Sequence, residues 1–133
     1  MSDPVANVQL VWDLYSAFGK RDIPAILERL SPDVEWSEPS NPFNPAGGMH
    51  HGHKGFLEWA DVGRRSEDIQ NLEINKILAD ENSAAVICFM RCRAIPTDKV
   101  YESDFVHYLE FENGKVKKFQ EFFDTYIAGE AFR

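Results

Sequence analysis

Three ionisable side chains near the end of the chain have the types and spacing for acid/base chemistry on carbon: His107, Glu121 and Asp124. They lie in "FVHYLEFENGKVKKFQEFFDTY", which alternates like two strands joined at Asn113-Gly114. Isomerisation and intramolecular aldol closure both need a base near an acidic C–H bond and a hydrogen-bond donor near the oxygen that becomes an enolate. A carboxylate and a histidine on one strand face would supply both groups.

The turn at Asn113-Gly114 decides which carboxylate accompanies His107. A two-residue turn puts Asp124 on the face of His107, whereas a three-residue turn with Gly114 left-handed puts Glu121 there. The pattern favours the second alternative, because it gives an inner face that is aromatic apart from one histidine and one acid. The residues of that face are Tyr101, Ser103, Phe105, His107, Leu109, Phe119, Glu121 and Phe123.

The rest of the chain predicts the elements that must hold these residues. Asp3-Pro4 begins a helix that ends at Gly19, and Asp22 with Pro24 begins a shorter one. "DVEWSEP" is typical of a short strand, residues 38 to 53 of a glycine- and proline-rich loop, and "KGFLEWADVGRR" of a third helix. Four β-rich segments follow: "IQNLEINKIL", "SAAVICFMRCRAI", "VYESDFVHYLEFE" and "KVKKFQEFFDTYI".

Helices followed by an antiparallel run of strands predict an α+β fold, and we expect residues 1–133 to form one domain. The economical arrangement packs three helices on the concave face of one strongly curved sheet. A sheet closed in this way encloses a cone-shaped cavity, of the kind that binds small apolar ligands through a few polar groups. A carboxylate enclosed by aromatic side chains has its charged form disfavoured, which makes it a better base.

Composition excludes several classes of partner. The chain has 133 residues, 44% of them hydrophobic, and a net charge of -8 with scattered lysines and arginines, so we expect no nucleic acid partner. No apolar run approaches the roughly 20 residues needed to cross a bilayer, and no signal pattern is visible. We therefore expect no membrane association and a cytoplasmic location. Cys88 and Cys92 are four residues apart and are expected to be buried thiols.

"GGMHHGHKG" packs three of the four histidines into four positions. A metal site would need three side chains that converge on one point. His51 and His53 are two apart across a glycine, and His50 and His51 are adjacent and tend to diverge. We therefore predict no metal site.

The order of these segments carries a family resemblance. "GKRDIPAILERLSPDVEW", a Gly/Pro loop, "HHGHKGF" and "FVHYLEFENGKVKKFQEFFD" are similar to the SnoaL-like polyketide cyclase branch of the superfamily of nuclear transport factor 2 and ketosteroid isomerase. The resemblance spans almost the whole chain and implies a cone-shaped α+β barrel, a homodimer and cofactor-free chemistry. It places the acid/base carboxylate at Glu121 and a pocket histidine at His107. Here the family's usual aspartate is a glutamate, which moves the acid by about one bond length.

The resemblance also gives the histidine segment a structural role. It implies a hinge at which the loop closes over the pocket mouth and Gly52 permits the turn into the third helix. His50 matches a histidine common in the cyclases and would reach the cavity, while His51 and His53 face solvent.

Seven residues are predicted to bind the ligand: Tyr15, Trp36, His50, Arg91, Phe105, Phe119 and Phe123. Tyr15 and Trp36 would equally fit the core, and His107 would fit there as a satisfied histidine. Arg91, with Arg93 on the same strand face, would either bind an acidic substrate or pair with Glu121.

The sequence thus predicts a cofactor-independent acid/base enzyme of the cyclase or isomerase type that acts on a small hydrophobic ring compound. Glu121 is the acid/base group, His107 the hydrogen-bond donor and Asp124 the alternative carboxylate. A non-catalytic binding domain stays open, because fold does not specify function. So does an epoxide hydrolase-like enzyme, although Arg93 stands where its paired acid should be. An outer-face patch of Val106, Tyr108 and Phe122 is expected to pair with a second copy.

Overall fold

The structure is a computed structural model that describes residues 3–133. The α+β prediction is confirmed, with a fourth helix within these residues where three were expected. In chain order the elements are α1 (Pro4–Gly19), α2 (Ile23–Glu28), β1 (Leu30–Glu38), β2 (Gly48–His51), α3 (Gly52–Ser66), β3 (Glu67–Ala79), β4 (Ser83–Ala94), β5 (Lys99–Glu112), β6 (Lys115–Phe123) and α4 (Thr125–Ala131).

The strands form one curved, unclosed six-stranded sheet in the order β2-β1-β6-β5-β4-β3. Within residues 3–133, β1 and β6 are the one pair of neighbouring strands that run parallel. Their pairing places the first strand of the chain beside the last one. The short edge strand β2 falls in the stretch predicted to be a loop. Bulges in β3 interrupt its pairing with β4 in two places, and such bulges bend a strand.

Strict alternation in β4 separates the two faces of the sheet. Met90 and Cys92 are buried on the inner face, while Arg91 between them is exposed on the outer face. Cys88 and Cys92 are free buried thiols, as predicted.

Two separate groups of buried apolar residues fill the concave side. The first apolar cluster joins α1, α2 and α3 to the sheet; it includes Val11, Leu14, Ile26, Trp36, Phe56, Val86, Leu109, Val116 and Phe119. The second apolar cluster lies beneath α4; it comprises Cys88, Met90, Cys92, Ala94, Tyr101, Phe105, Ala128 and Ala131. His107 lies between the two clusters, since its ring neighbours are Phe119 of the first and Phe105 of the second.

The β5–β6 hairpin has the predicted pairing of His107 with Glu121 but a different turn. Asn113 and Gly114, with φ of 54° and 73°, form a two-residue turn and not the expected three-residue turn. The pairing then shifts by one residue, which leaves Lys117 as an extra residue in β6. This bulge restores the register in which His107 pairs with Glu121.

Asp124 lies outside the sheet. The alternative prediction that it is the carboxylate of the site is therefore wrong. The predicted last strand ends at Phe123, and the Asp124 side chain accepts a hydrogen bond of 3.0 Å from the Ile127 backbone N–H. An aspartate that caps a helix in this way stabilises its first turn. Asp124 is exposed and begins α4, so its carboxylate does not face His107.

No helix within residues 3–133 has the length and apolar character needed to span a membrane.

Candidate active site

Glu121 and His107 face each other on neighbouring strands inside the sheet. They are directly paired between β6 and β5, and His107 Nε2 lies 3.6 Å from Glu121 Oε2. Both residues are buried, with 4% of His107 and 8% of Glu121 exposed. The separation is longer than a hydrogen bond, so the two groups are close without being bonded to each other.

Tyr15 from α1 holds the other side of the histidine ring. Its hydroxyl forms a hydrogen bond with His107 Nδ1. Burial, reinforced by the nearby Cys88 and Glu121, raises the pKa of Tyr15 well above its usual value, so this hydroxyl keeps its proton. A protonated hydroxyl can donate to Nδ1 or accept from it. We assign it as the donor, because the Nε2 atom on the other side of the ring faces the Glu121 carboxylate, and this position favours a proton on Nε2.

The Nε2 atom of His107 is a buried donor that has no hydrogen-bond partner within residues 3–133. Leaving a buried donor unpaired costs about 1–3 kcal/mol. Such an atom is satisfied when a ligand oxygen or a water molecule lies beside it. The histidine therefore offers one free N–H group next to the Glu121 carboxylate.

The pair is buried but not completely closed off from solvent. The side chains of His107 and Glu121 keep 6% and 10% of their surface accessible, whereas Val86, Leu109 and Val116 in the first apolar cluster keep none. The Nε2 atom of His107 is itself fully buried.

Aromatic stacks flank the histidine on both sides. Phe119 lies flat on Trp36, with ring centroids 3.8 Å apart, and Phe105 stacks on Phe123 at 4.9 Å. The ring of His107 lies 4.8 Å from Phe119 and 6.4 Å from Phe105. Trp36 is fully buried within the first apolar cluster, so it supports Phe119 from behind.

A second carboxyl group, Glu38, belongs to the same cluster and was not predicted. It is buried at the end of β1 and accepts hydrogen bonds from Asn44 Nδ2 at 2.9 Å and Trp59 Nε1 at 3.0 Å. Burial, with the charges of Glu121 and Glu67 adding to it, raises the pKa of Glu38 to about 8. The hydrogen bonds from Trp59 and Asn44 act in the opposite direction without cancelling this rise.

Glu67, a third carboxyl group, lies at the start of β3, opposite Ala94 on β4. Burial and the charge of Glu121 raise its pKa to about 7, while a hydrogen bond from Tyr101 lowers it. Burial and the charge of Glu67 in turn raise the pKa of Tyr101. The cluster thus contains several buried acids that perturb one another, which marks it as a candidate functional site.

Arg91 is not part of this cluster, which corrects its predicted role in ligand binding. On the outer face its guanidinium lies 3.5 Å from Glu102 and 3.0 Å from Gln70. Arg93 likewise pairs with Asp68 and Asp98, so neither arginine is a partner of Glu121.

The histidine-rich segment forms the entry to α3. Gly52 has φ of 68°, a left-handed conformation that suits glycine, and His51 before it is exposed. His50 pairs with Trp36 across β2 and β1, and its Nε2 donates to the Ala46 carbonyl at 3.3 Å. His53 differs from expectation, since it is half-buried and donates to the Leu30 carbonyl at 3.0 Å. In the described part of the chain, no three His, Cys, Asp or Glu residues are grouped as a metal would require.

A surface cleft of about 570 Å³ lies apart from the cluster, between β1 and the β5–β6 hairpin. Its lining includes Ser31, Glu35, Glu110, Lys115 and Lys118 but neither Glu121 nor His107.

The curved sheet, the helices on its concave side and the enclosed polar cluster define an NTF2-like protein. An NTF2-like protein from Burkholderia xenovorans LB400 is 26% identical and matches all of both chains with a TM-score of 0.93. An NTF2-like protein of unknown function from Burkholderia pseudomallei K96243 is 27% identical, with a TM-score of 0.84 over 96% of this chain and 97% of its own. TerC, which was co-crystallized with polyporic acid, shares the fold at 24% identity and a TM-score of 0.83, over 96% of this chain and 98% of its own.

Comparison of the sequence with family models identifies a narrower group than the fold does. The family model described as SnoaL-like domain matches residues 11–119, and the chain belongs to this family. A comparison with curated proteins gave no match.

Proposed function

We propose that this protein is a cofactor-independent acid/base enzyme that acts on a small hydrophobic ring compound bearing a carbonyl group. One observation carries the proposal: the buried Nε2–H of His107 has no partner within residues 3–133 and lies 3.6 Å from the Glu121 carboxylate. This is the pairing of donor and base that enolisation requires.

Each group has a defined task in the proposed reaction. The carbonyl oxygen of the substrate accepts a hydrogen bond from His107 Nε2–H, and Glu121 removes a proton from the adjacent carbon. Charge then develops on the oxygen, where the buried donor stabilises it. In an isomerisation the protonated Glu121 returns the proton at another atom. In a cyclisation the enolate carbon attacks a second carbonyl, and the alkoxide formed there takes the proton from Glu121.

The surroundings fit a flat ring compound. Phe105, Phe119 and Phe123 lie around the polar pair, and aromatic side chains favour contact with the rings of a ligand. Membership of the SnoaL-like family and the complex of TerC with polyporic acid support a ring ligand. The outward position of Arg91 removes the residue on which the epoxide hydrolase-like alternative depended.

Solvent exchange tests the proposal without knowledge of the natural substrate. The protein is incubated in deuterium oxide with cyclohexanone, indanone and tetralone, and NMR follows the loss of the protons next to each carbonyl. We expect exchange of at least one ring ketone above the buffer rate. Binding of these ketones without any exchange would overturn the catalytic proposal and leave a binding domain.

Replacing Tyr15 with phenylalanine should slow this exchange by about a hundredfold, the lower end of the range for positioned proton-transfer groups. The reason is that His107 loses the donor that fixes its tautomer. Nitrogen NMR of the imidazole should show a single Nε2–H tautomer in the wild type and a mixture in Tyr15→Phe. Tyr126→Phe is the matched control, since Tyr126 is 75% exposed. An unchanged tautomer and rate in Tyr15→Phe would contradict this role.

We also propose that two copies pair through the patch of Val106, Tyr108 and Phe122. Phe122 is 47% exposed, and the other two are half-buried on the outer face of the same strand pair. Phe122→Glu should therefore convert dimers to monomers in sedimentation velocity at micromolar concentration, because it places a charge at the contact. Tyr126→Glu, on α4, should leave the dimer intact. A monomeric wild type would refute the assignment.

A further inference from the structure

The parallel pairing of β1 with β6 sets two carboxyl groups side by side. Trp36 pairs with Phe119 and Ser37 with Gln120, and Glu38 and Glu121 are the next residues on the two strands. Side chains at matching positions of adjacent strands point to the same face. Glu38 therefore lies on one side of Glu121, while His107 lies on the other.

Glu38 is held in place on both of its oxygens. Trp59 from α3 donates to Oε1 and Asn44 from the loop after β1 donates to Oε2. In residues 3–133 no lysine or arginine forms an ion pair with Glu38 or Glu121. Glu38 is thus fixed, and the pair is buried without a lysine or arginine to neutralise it.

Two buried carboxylates that face each other without a cation do not both ionise at neutral pH, because like charges repel strongly where water is excluded. We propose that Glu38 is the neutral partner of Glu121, a positioning residue that keeps the working site at a single negative charge. This inference rests on the proposed function, in which the charge on Glu121 makes it the base. A charged Glu38 would lie beside the enolate and repel it.

The neighbours of Glu38 agree with this assignment. It is faced by Glu121 from β6 and by Glu67 from β3, and a charge on either acid disfavours a charge on Glu38. Tyr101 from β5 is also near, and its hydroxyl stays neutral because its pKa is raised. Its raised pKa, about 8, means that Glu38 keeps its proton through neutral pH and loses it above that value.

NMR of glutamate labelled at the carboxyl carbon tests the charge assignment without turnover. The Glu38 resonance is identified by its absence in Glu38→Gln and is followed as pH is raised. We expect a midpoint near 8, a lower midpoint in Glu121→Gln, where the neighbouring charge is gone, and a higher one in Trp59→Phe, where a stabilising donor is gone. Glu35→Gln, an exposed position on the same strand, should leave the midpoint unchanged.

A Glu38 midpoint near the ordinary value of 4.5, or one that Glu121→Gln does not lower, would overturn the inference. Because this readout needs no catalysis, it is independent of the outcome for the proposed function.

The pH dependence of ketone exchange then tests the consequence for activity. The wild type should lose exchange above about pH 8, whereas Glu38→Gln should keep its neutral-pH rate there within about threefold. Circular dichroism verifies that the variant is folded. An identical alkaline loss in Glu38→Gln would overturn the inference, and so would a folded Glu38→Gln protein that is inactive at neutral pH, since Glu38 would then be the base itself.

Discussion

Replacing Glu121 with glutamine is expected to reduce ketone exchange by about 100- to 10,000-fold, the range for removal of a positioned general base. Glutamine keeps the size of the side chain but cannot take up the proton. Binding, measured from the tryptophan fluorescence of the protein with indanone, should change by no more than about threefold, because the aromatic walls and the His107 donor are retained.

Asp124→Asn is the control for this experiment, since asparagine also caps helices and Asp124 is the other carboxylate that the sequence allowed. We expect normal exchange from it. Normal exchange in Glu121→Gln, with or without a loss in Asp124→Asn, would contradict the assignment of the base.

The stability of the protein should fall as pH rises from about 5 to about 9. Glu38 and Glu67 have pKa values of about 8 and about 7 in the folded protein, against an ordinary value of 4.5. The folded state therefore binds more protons than the unfolded state in this window, so the stabilisation is complete below the ordinary value and is lost as pH passes the raised ones. The total loss has an upper limit of about 8 kcal/mol, which would be reached if the two acids titrated independently.

Urea unfolding at several pH values measures this effect. Glu38→Gln should flatten the decline, while the exposed Glu35→Gln should not alter it. Asp80, whose pKa is lowered by hydrogen bonds from Asn82 and Ser83, contributes in the opposite sense and only in more acidic solution. A free energy of unfolding that rises between about pH 5 and about pH 8 would contradict the account of the buried acids.

The face of the last hairpin could be predicted because burial there follows a clear alternation. Aromatic residues recur at every second position on both strands, and they carry His107 and Glu121 with them. The bulge that produces this register could not be predicted from the sequence. Asn113-Gly114 favours the two-residue turn, and nothing in the local pattern marks Lys117 as the bulge that compensates for it.

Other parts of the site depend on pairings between distant segments. Alternation in "VEWSE" places Glu38 on the face of Trp36, yet its meeting with Glu121 requires the parallel contact between β1 and β6. No local sequence pattern predicts that contact, because the two strands are far apart in the chain. The prediction that Arg91 binds the ligand is wrong, although the sequence contains the signal against it. Its neighbour Cys92 is expected to be buried, and alternation along the strand then turns Arg91 outward.

A crystal structure with a bound ring ketone tests the central claim most directly. We expect the carbonyl oxygen within about 2.7–3.2 Å of His107 Nε2 and the adjacent carbon facing the Glu121 carboxylate. A ketone bound instead in the surface cleft beside Lys115, with the Nε2 atom still unpaired, would contradict it.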